Sequence, residues 1–95
     1  MKINKIPWQV ELCNLPNDGE NKTLGLCEAG EQIIKLQKGL NKEIARQTYI
    51  HELLHAIIFS YGLHLEDEES VCDFVAAHFS LIEKLVKRFD NGTLY

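Results

Sequence analysis

Tyr49 to Phe59 reads YIHELLHAIIF. Ile50, Leu53, Leu54, Ala56, Ile57, Ile58 and Phe59 would cover a helix with apolar side chains on nearly every side, the pattern of a buried, central helix. Yet His51, Glu52 and His55 sit in its middle. Burying polar and ionisable groups costs free energy unless a partner satisfies them. The fold must therefore bring satisfying groups to this helix. Ordinary hydrogen bonds would need three unrelated partners, whereas one metal ion serves the whole triplet.

His51-Glu52-Leu53-Leu54-His55 is HExxH. At 100° per residue the two histidines lie about 40° apart on one face, one turn above the other. Imidazoles so placed can both reach one Zn²⁺ at about 2.0–2.1 Å. Glu52 stands beside them, placed to take a proton from water at the metal without being a ligand. A shuffled chain of this composition carries the motif about 0.013 times, so coincidence explains it poorly.

A catalytic zinc site needs a third protein ligand. A third histidine six residues after His55 is absent, since position 61 is Tyr and position 58 is Ile. His64 reads as an exposed link residue past Gly62, and His78 as a solvent-side or packing histidine. The cluster Glu66-Asp67-Glu68-Glu69 remains. Glu69 shares a helix face with Asp73, so Glu69 can ligate while Asp73, in the outer shell, accepts the other ring N–H of a ligating histidine. Glu66 and Glu68 stay open as alternatives. Ala76, Ala77 and Ser80 are small enough to let the two helices approach closely. One zinc per chain is expected.

The rest of the pattern places these helices. Ile6, Trp8, Val10 and Leu12 alternate as one face of a half-buried strand. Residues 15–21 carry turn chemistry. Residues 23–29 and 31–37 read as a hairpin with Gly30 at its joint. The metal helix spans about 42–61, from an Asn41 cap to Gly62, and a second helix about 67–89 has acidic residues first and basic residues last. Residues 90–95 read as loop. With 95 residues, 45% of them hydrophobic, this is one domain, 1–95. The expected class is α+β, a small antiparallel sheet packed by two main helices.

Composition narrows the setting. A net charge of -4 gives no electrostatic footprint for nucleic acid or an anionic membrane surface. No run approaches the roughly 18 apolar residues of a membrane span, and Met1 to Glu11 does not read as a secretory signal. Cys13, Cys27 and Cys72 show no CxxC pairing. They read as small buried hydrophobes in a reducing, cytoplasmic protein. Oligomeric state is not legible at this level.

HELLHA followed, fourteen residues after His55, by ESVCDFVA resembles the zincin-like metallopeptidases of the ImmA/IrrE type, and especially the very small zincin-like proteins of phages and prophages. The resemblance spans about residues 23–82. Its second half is carried by Glu69, Cys72, Asp73, Phe74 and Val75-Ala76. It implies a gluzincin-like site, with His51, His55 and Glu69 as ligands and Glu52 as general base. It also implies proteolysis of a protein or peptide substrate, such as a regulator on a mobile element.

The expected activity is metal-assisted amide hydrolysis. Tyr61, His64 and Tyr95 are candidates for an extra oxyanion donor. The strand at 31–37 is expected to present an open edge near the zinc, where an extended peptide could add by β-pairing. The alternative is a zinc-stabilised protein-binding module that cleaves nothing.

Overall fold

The computed structural model describes residues 1–18 and 21–92. Strands β1 (Lys2–Ile3) and β2 (Ile6–Pro7) form a tight hairpin. Asn4 and Lys5 at its tip have φ of 49° and 66°, the two positive values that a type I′ turn demands. Then come β3 (Gln9–Cys13), the short pair β4 (Asn17–Asp18) and β5 (Asn21–Lys22), β6 (Gly25–Glu28) and β7 (Ile33–Gln37). Gly19 and Glu20, within the expected 15–21 turn, lie outside the described residues. Helices α1 (Lys42–Ser60) and α2 (Glu68–Asp90) complete an α+β domain.

The main sheet has the order β3-β7-β6. β6 and β7 are the expected antiparallel hairpin, but β3 joins β7 in parallel, so this sheet is mixed. The left-handed residue of the hairpin turn is Gln32 (φ 58°) rather than Gly30. β7 is therefore central and paired on both sides, which removes the open edge expected at 31–37. A hairpin read from local turn signals cannot say which long-range strand will take its other side. Among the described residues the unpaired edge beside the hairpin belongs to β6.

Register decides what is buried. Ile34 and Leu36 of β7 face α1 and are 0% and 7% exposed, and with Trp8 and Ala56 they form the core. Gly25 and Cys27 oppose Leu36 and Ile34 and so share that face. Val10 and Leu12 share it too, through β3. They are nonetheless 43% and 66% exposed, because α1 lies over β6 and β7 and stops short of β3. The single strand expected over 6–12 is split: Ile6–Pro7 pairs with β1, and only Gln9–Cys13 joins the main sheet. Val10 and Leu12 share the core-side facing, but the helix does not extend over them.

Both ends of α1 follow from local chemistry. The Asn41 side chain accepts from the Ile44 N–H at 2.9 Å. At the other end Gly62 (φ 65°) donates to Phe59 O, and Leu63 N–H reaches Ile58 O, a Schellman closure. The chain then turns back, and α2 packs on α1 through buried Cys72 and Ala76. Arg46 of α1 reaches across to Ser80 Oγ at 2.7 Å and Glu83 at 3.8 Å. No helix among the described residues is long and apolar enough to cross a membrane.

The N-terminal hairpin closes over the end of α1. Trp8, 2% exposed, donates its indole N–H to Ser60 Oγ at 2.9 Å, and Asn4 donates to the Ser60 carbonyl. Ser60→Ala leaves a buried N–H without its partner. The expected loss is about 1–3 kcal/mol of folding stability, read from denaturant unfolding followed by circular dichroism. An unchanged midpoint would show that this bond contributes nothing.

Candidate metal centre

α1 and α2 run antiparallel, so earlier residues of one meet later residues of the other. Arg46 meets Ser80, His51 meets Asp73, and His55 meets Glu68. This order aims both imidazoles at the first two turns of α2. Each Nδ1–H donates to a carboxylate: His51 to Asp73 Oδ1 at 2.9 Å, and His55 to Glu68 Oε2 at 2.5 Å. These bonds fix ring orientation and leave both Nε2 atoms facing inward.

The two Nε2 atoms stand 3.1 Å apart. Glu69 closes on both, with Oε1 2.6 Å from His51 Nε2 and Oε2 3.1 Å from His55 Nε2. When the rings are neutral, with their protons on Nδ1, these atoms present only lone pairs to one another. That contact is repulsive until a cation enters it. Donor atoms about 2.0–2.1 Å from a tetrahedral metal lie about 3.3 Å apart, close to two of the three separations here. The third, from His51 Nε2 to Glu69 Oε1, is shorter at 2.6 Å. His51, Glu52 and His55 lie close enough to hold a metal ion, with ligand atoms within 4.8 Å of one another. His51, Glu69 and Asp73 meet the same criterion.

Glu52 reaches the same place from the strand side. It is 7% exposed, beneath β6. A Cβ on Gly25 would lie 2.7 Å from Thr48 Cγ2 and 3.0 Å from Glu52 Cγ, so only glycine lets the strand pass this close. Burial raises the Glu52 pKa above the ordinary carboxylate value; His51 and His55 pull it down and Glu69 adds to the rise. For His55, burial alone would lower the pKa, but the bond to Glu68 and the charges of Glu69, Glu52 and Glu68 outweigh it and hold the imidazole above its usual value.

Two clefts flank the histidine pair. One of about 710 Å³ opens on the His51 side, between Leu24-Gly25-Leu26 and α1. Another of about 420 Å³ opens on the His55 side, towards Phe59 and Leu63. Leu26, Glu52 and Glu69 line both, so together they make one trough along the free edge of β6.

All five residues singled out from the sequence, His51, Glu52, His55, Glu69 and Asp73, come together here. Glu68 was weighed as a ligand, but it meets the outer nitrogen of His55. The antiparallel order of the helices was the signal for it, since the partner of His55 must precede Asp73. Cys27 and Cys72 were also near the site without being singled out for it. Each thiol is pushed up to about 11, first by burial and then by neighbouring carboxylates, so both stay protonated at neutral pH. His78 stacks on Phe74 at 4.4 Å and donates to the Phe74 carbonyl, apart from the site. Tyr61 and His64 are exposed at the end of α1 and in the link. Tyr95 lies outside the described residues.

Metal analysis of alanine variants separates the carboxylates. Glu69→Ala should lose the ion, Glu68→Ala should weaken binding about 10–100-fold through His55, and Glu66→Ala should bind as the parent does. Full retention in Glu69→Ala would show that it is not a ligand.

The pH dependence of the chelated protein has a definite sign. A raised His55 pKa stabilises the fold fully below about 6.5, the unfolded value, and that contribution is lost as pH rises through the folded value. Glu52 acts in the same sense at its own pKa. Metal binding instead strengthens as the ligands lose protons. Thermal melts in chelator should therefore fall from pH 6.5 upward, while melts with one equivalent of zinc should not. Parallel curves would contradict the arrangement.

No protein-family model, no curated protein and no solved structure matches this chain.

Proposed function

We propose that the chain is a zinc-dependent metallopeptidase that hydrolyses a peptide bond of a protein substrate held along β6. The observation that carries this reading is the division of labour at the site. Two imidazoles and Glu69 converge on one point, while Glu52, buried under β6, brings a further carboxylate within reach of both histidines. A purely structural ion would have no need of Glu52.

In this reading His51, His55 and Glu69 hold the zinc, and Asp73 and Glu68 orient the rings. When bound, zinc supplies the Lewis acidity that brings the pKa of water towards ~7 and polarises a carbonyl. The chain supplies the rest. Glu52 accepts the proton of the attacking water on its carboxylate and passes it to the departing amide nitrogen. Its raised pKa suits both halves of that transfer. The free edge of β6 offers backbone N–H and C=O groups to an extended peptide, and the trough on either side of the histidines accepts its side chains. The resemblance to ImmA/IrrE-type peptidases agrees with these roles and makes a regulatory protein of a mobile element the first substrate to try.

Glu52→Gln keeps the shape and removes the base. It should fold and hold zinc as the parent does, and its hydrolysis of a peptide library or of such a regulator should fall about 10²–10⁴-fold. A binding module would show no cleavage in either form and unchanged partner affinity. Undiminished cleavage by the Gln variant would sink the mechanism.

A further inference from the structure

The inner side of α2 is narrow: Cys72 and Ala76 meet α1. Its outer side is wide and bare. Val71, Phe74, Ile82, Leu85, Val86 and Phe89 are between 43% and 67% exposed, and Leu81 is 54% exposed. At 100° per residue all seven fall within an arc of about 140°. Along the middle of that arc run Val71, Val75, His78, Ile82, Leu85 and Phe89, spaced four, three, four, three and four, the seam of a paired helix. At roughly 100 Å² bare per side chain, the seven offer about 700 Å² per chain. That exceeds the apolar patch of an ordinary monomer and approaches the ~800 Å² per partner of a stable interface.

We propose that this face is a self-association surface on which two copies of the chain pair through α2 in antiparallel order. Two features select a second copy. First, the four-three spacing of the row is mirrored about position 80. Antiparallel pairing sets Val71 against Phe89 of the second copy, Phe74 against Val86, Val75 against Leu85 and His78 against Ile82. His78 is suited to such a seam, because its Nδ1–H is already bonded to the Phe74 carbonyl and its ring lies on the Phe74 ring. Second, α2 carries the macrodipole of a 23-residue helix, positive at its first turn and negative at its last. Antiparallel order brings each negative dipole end towards the other copy's positive start. Parallel order would oppose like ends. Glu69 and Asp73 project about 160–200° from the middle of the seam, so pairing leaves the histidine trough open. The inference thus stands whether or not the chain is a peptidase.

Sedimentation equilibrium of the full chain, from micromolar to hundreds of micromolar, should give a concentration-dependent rise to twice the 10.9 kDa of one copy. Leu85→Glu and, separately, Phe89→Ser should weaken that association by roughly 10–100-fold with helix content unchanged by circular dichroism. Oxidation of a Val71→Cys/Phe89→Cys variant, followed by peptide mapping, should join position 71 of one copy to position 89 of the other. A parent that stays monomeric throughout the range overturns the proposal, as does a dimer indifferent to both substitutions. A 71-to-71 link overturns the antiparallel order.

Discussion

Three lone-pair-bearing groups meeting at one point, Nε2 of His51, Nε2 of His55 and the Glu69 carboxylate, set the terms for the whole helical layer. Around them stand three more carboxylates, those of Glu52, Glu68 and Asp73, so four acidic groups face two imidazoles. The apolar part of the helix contact, centred on Cys72 and Ala76, is small. The rest of the contact at this level is polar: the two rings donate to Asp73 and Glu68, and Glu69 closes on both Nε2 atoms. A cation bound between the helices would offset the mutual repulsion of these carboxylates.

The same economy of space governs the strand side. β6 can lie against α1 only because Gly25 has no side chain to collide with Thr48 and Glu52. That contact shields the Glu52 carboxylate and lifts its pKa, while the opposite edge of the strand stays unpaired among the described residues. Backbone hydrogen-bonding capacity and a buried carboxylate thus lie side by side. A strand even one methyl thicker would have to sacrifice one for the other.

The grouping of His51, Glu52 and His55 on α1 was legible because HExxH brings the three together through helical period alone. Asp73 was legible for the same reason, being one turn beyond Glu69. Glu68 was harder: its task follows from the antiparallel course of α2, a tertiary fact. The boundaries of α1 were marked by Asn41 and Gly62, whose capping chemistry is local. What could not be read was the assembly of strands. β3 pairs with β7 over a separation of 24 residues, and no turn signal records such a contact. The edge was therefore assigned to the wrong member of the hairpin. The bare side of α2 was also hidden, since helical periodicity shows that a side is apolar and not whether anything covers it.

Trp8 is the only tryptophan of the chain, and its indole N–H is tied to Ser60, the last residue of the helix that carries His51 and His55. Its ring meets Phe59 edge-on at 6.1 Å and is almost wholly shielded from water. Emission from this ring belongs at short wavelength while the end of the helix is closed, and shifts to the red when water reaches it. The molecule thus carries a built-in optical reporter about one and a half helical turns from His55, readable without labels.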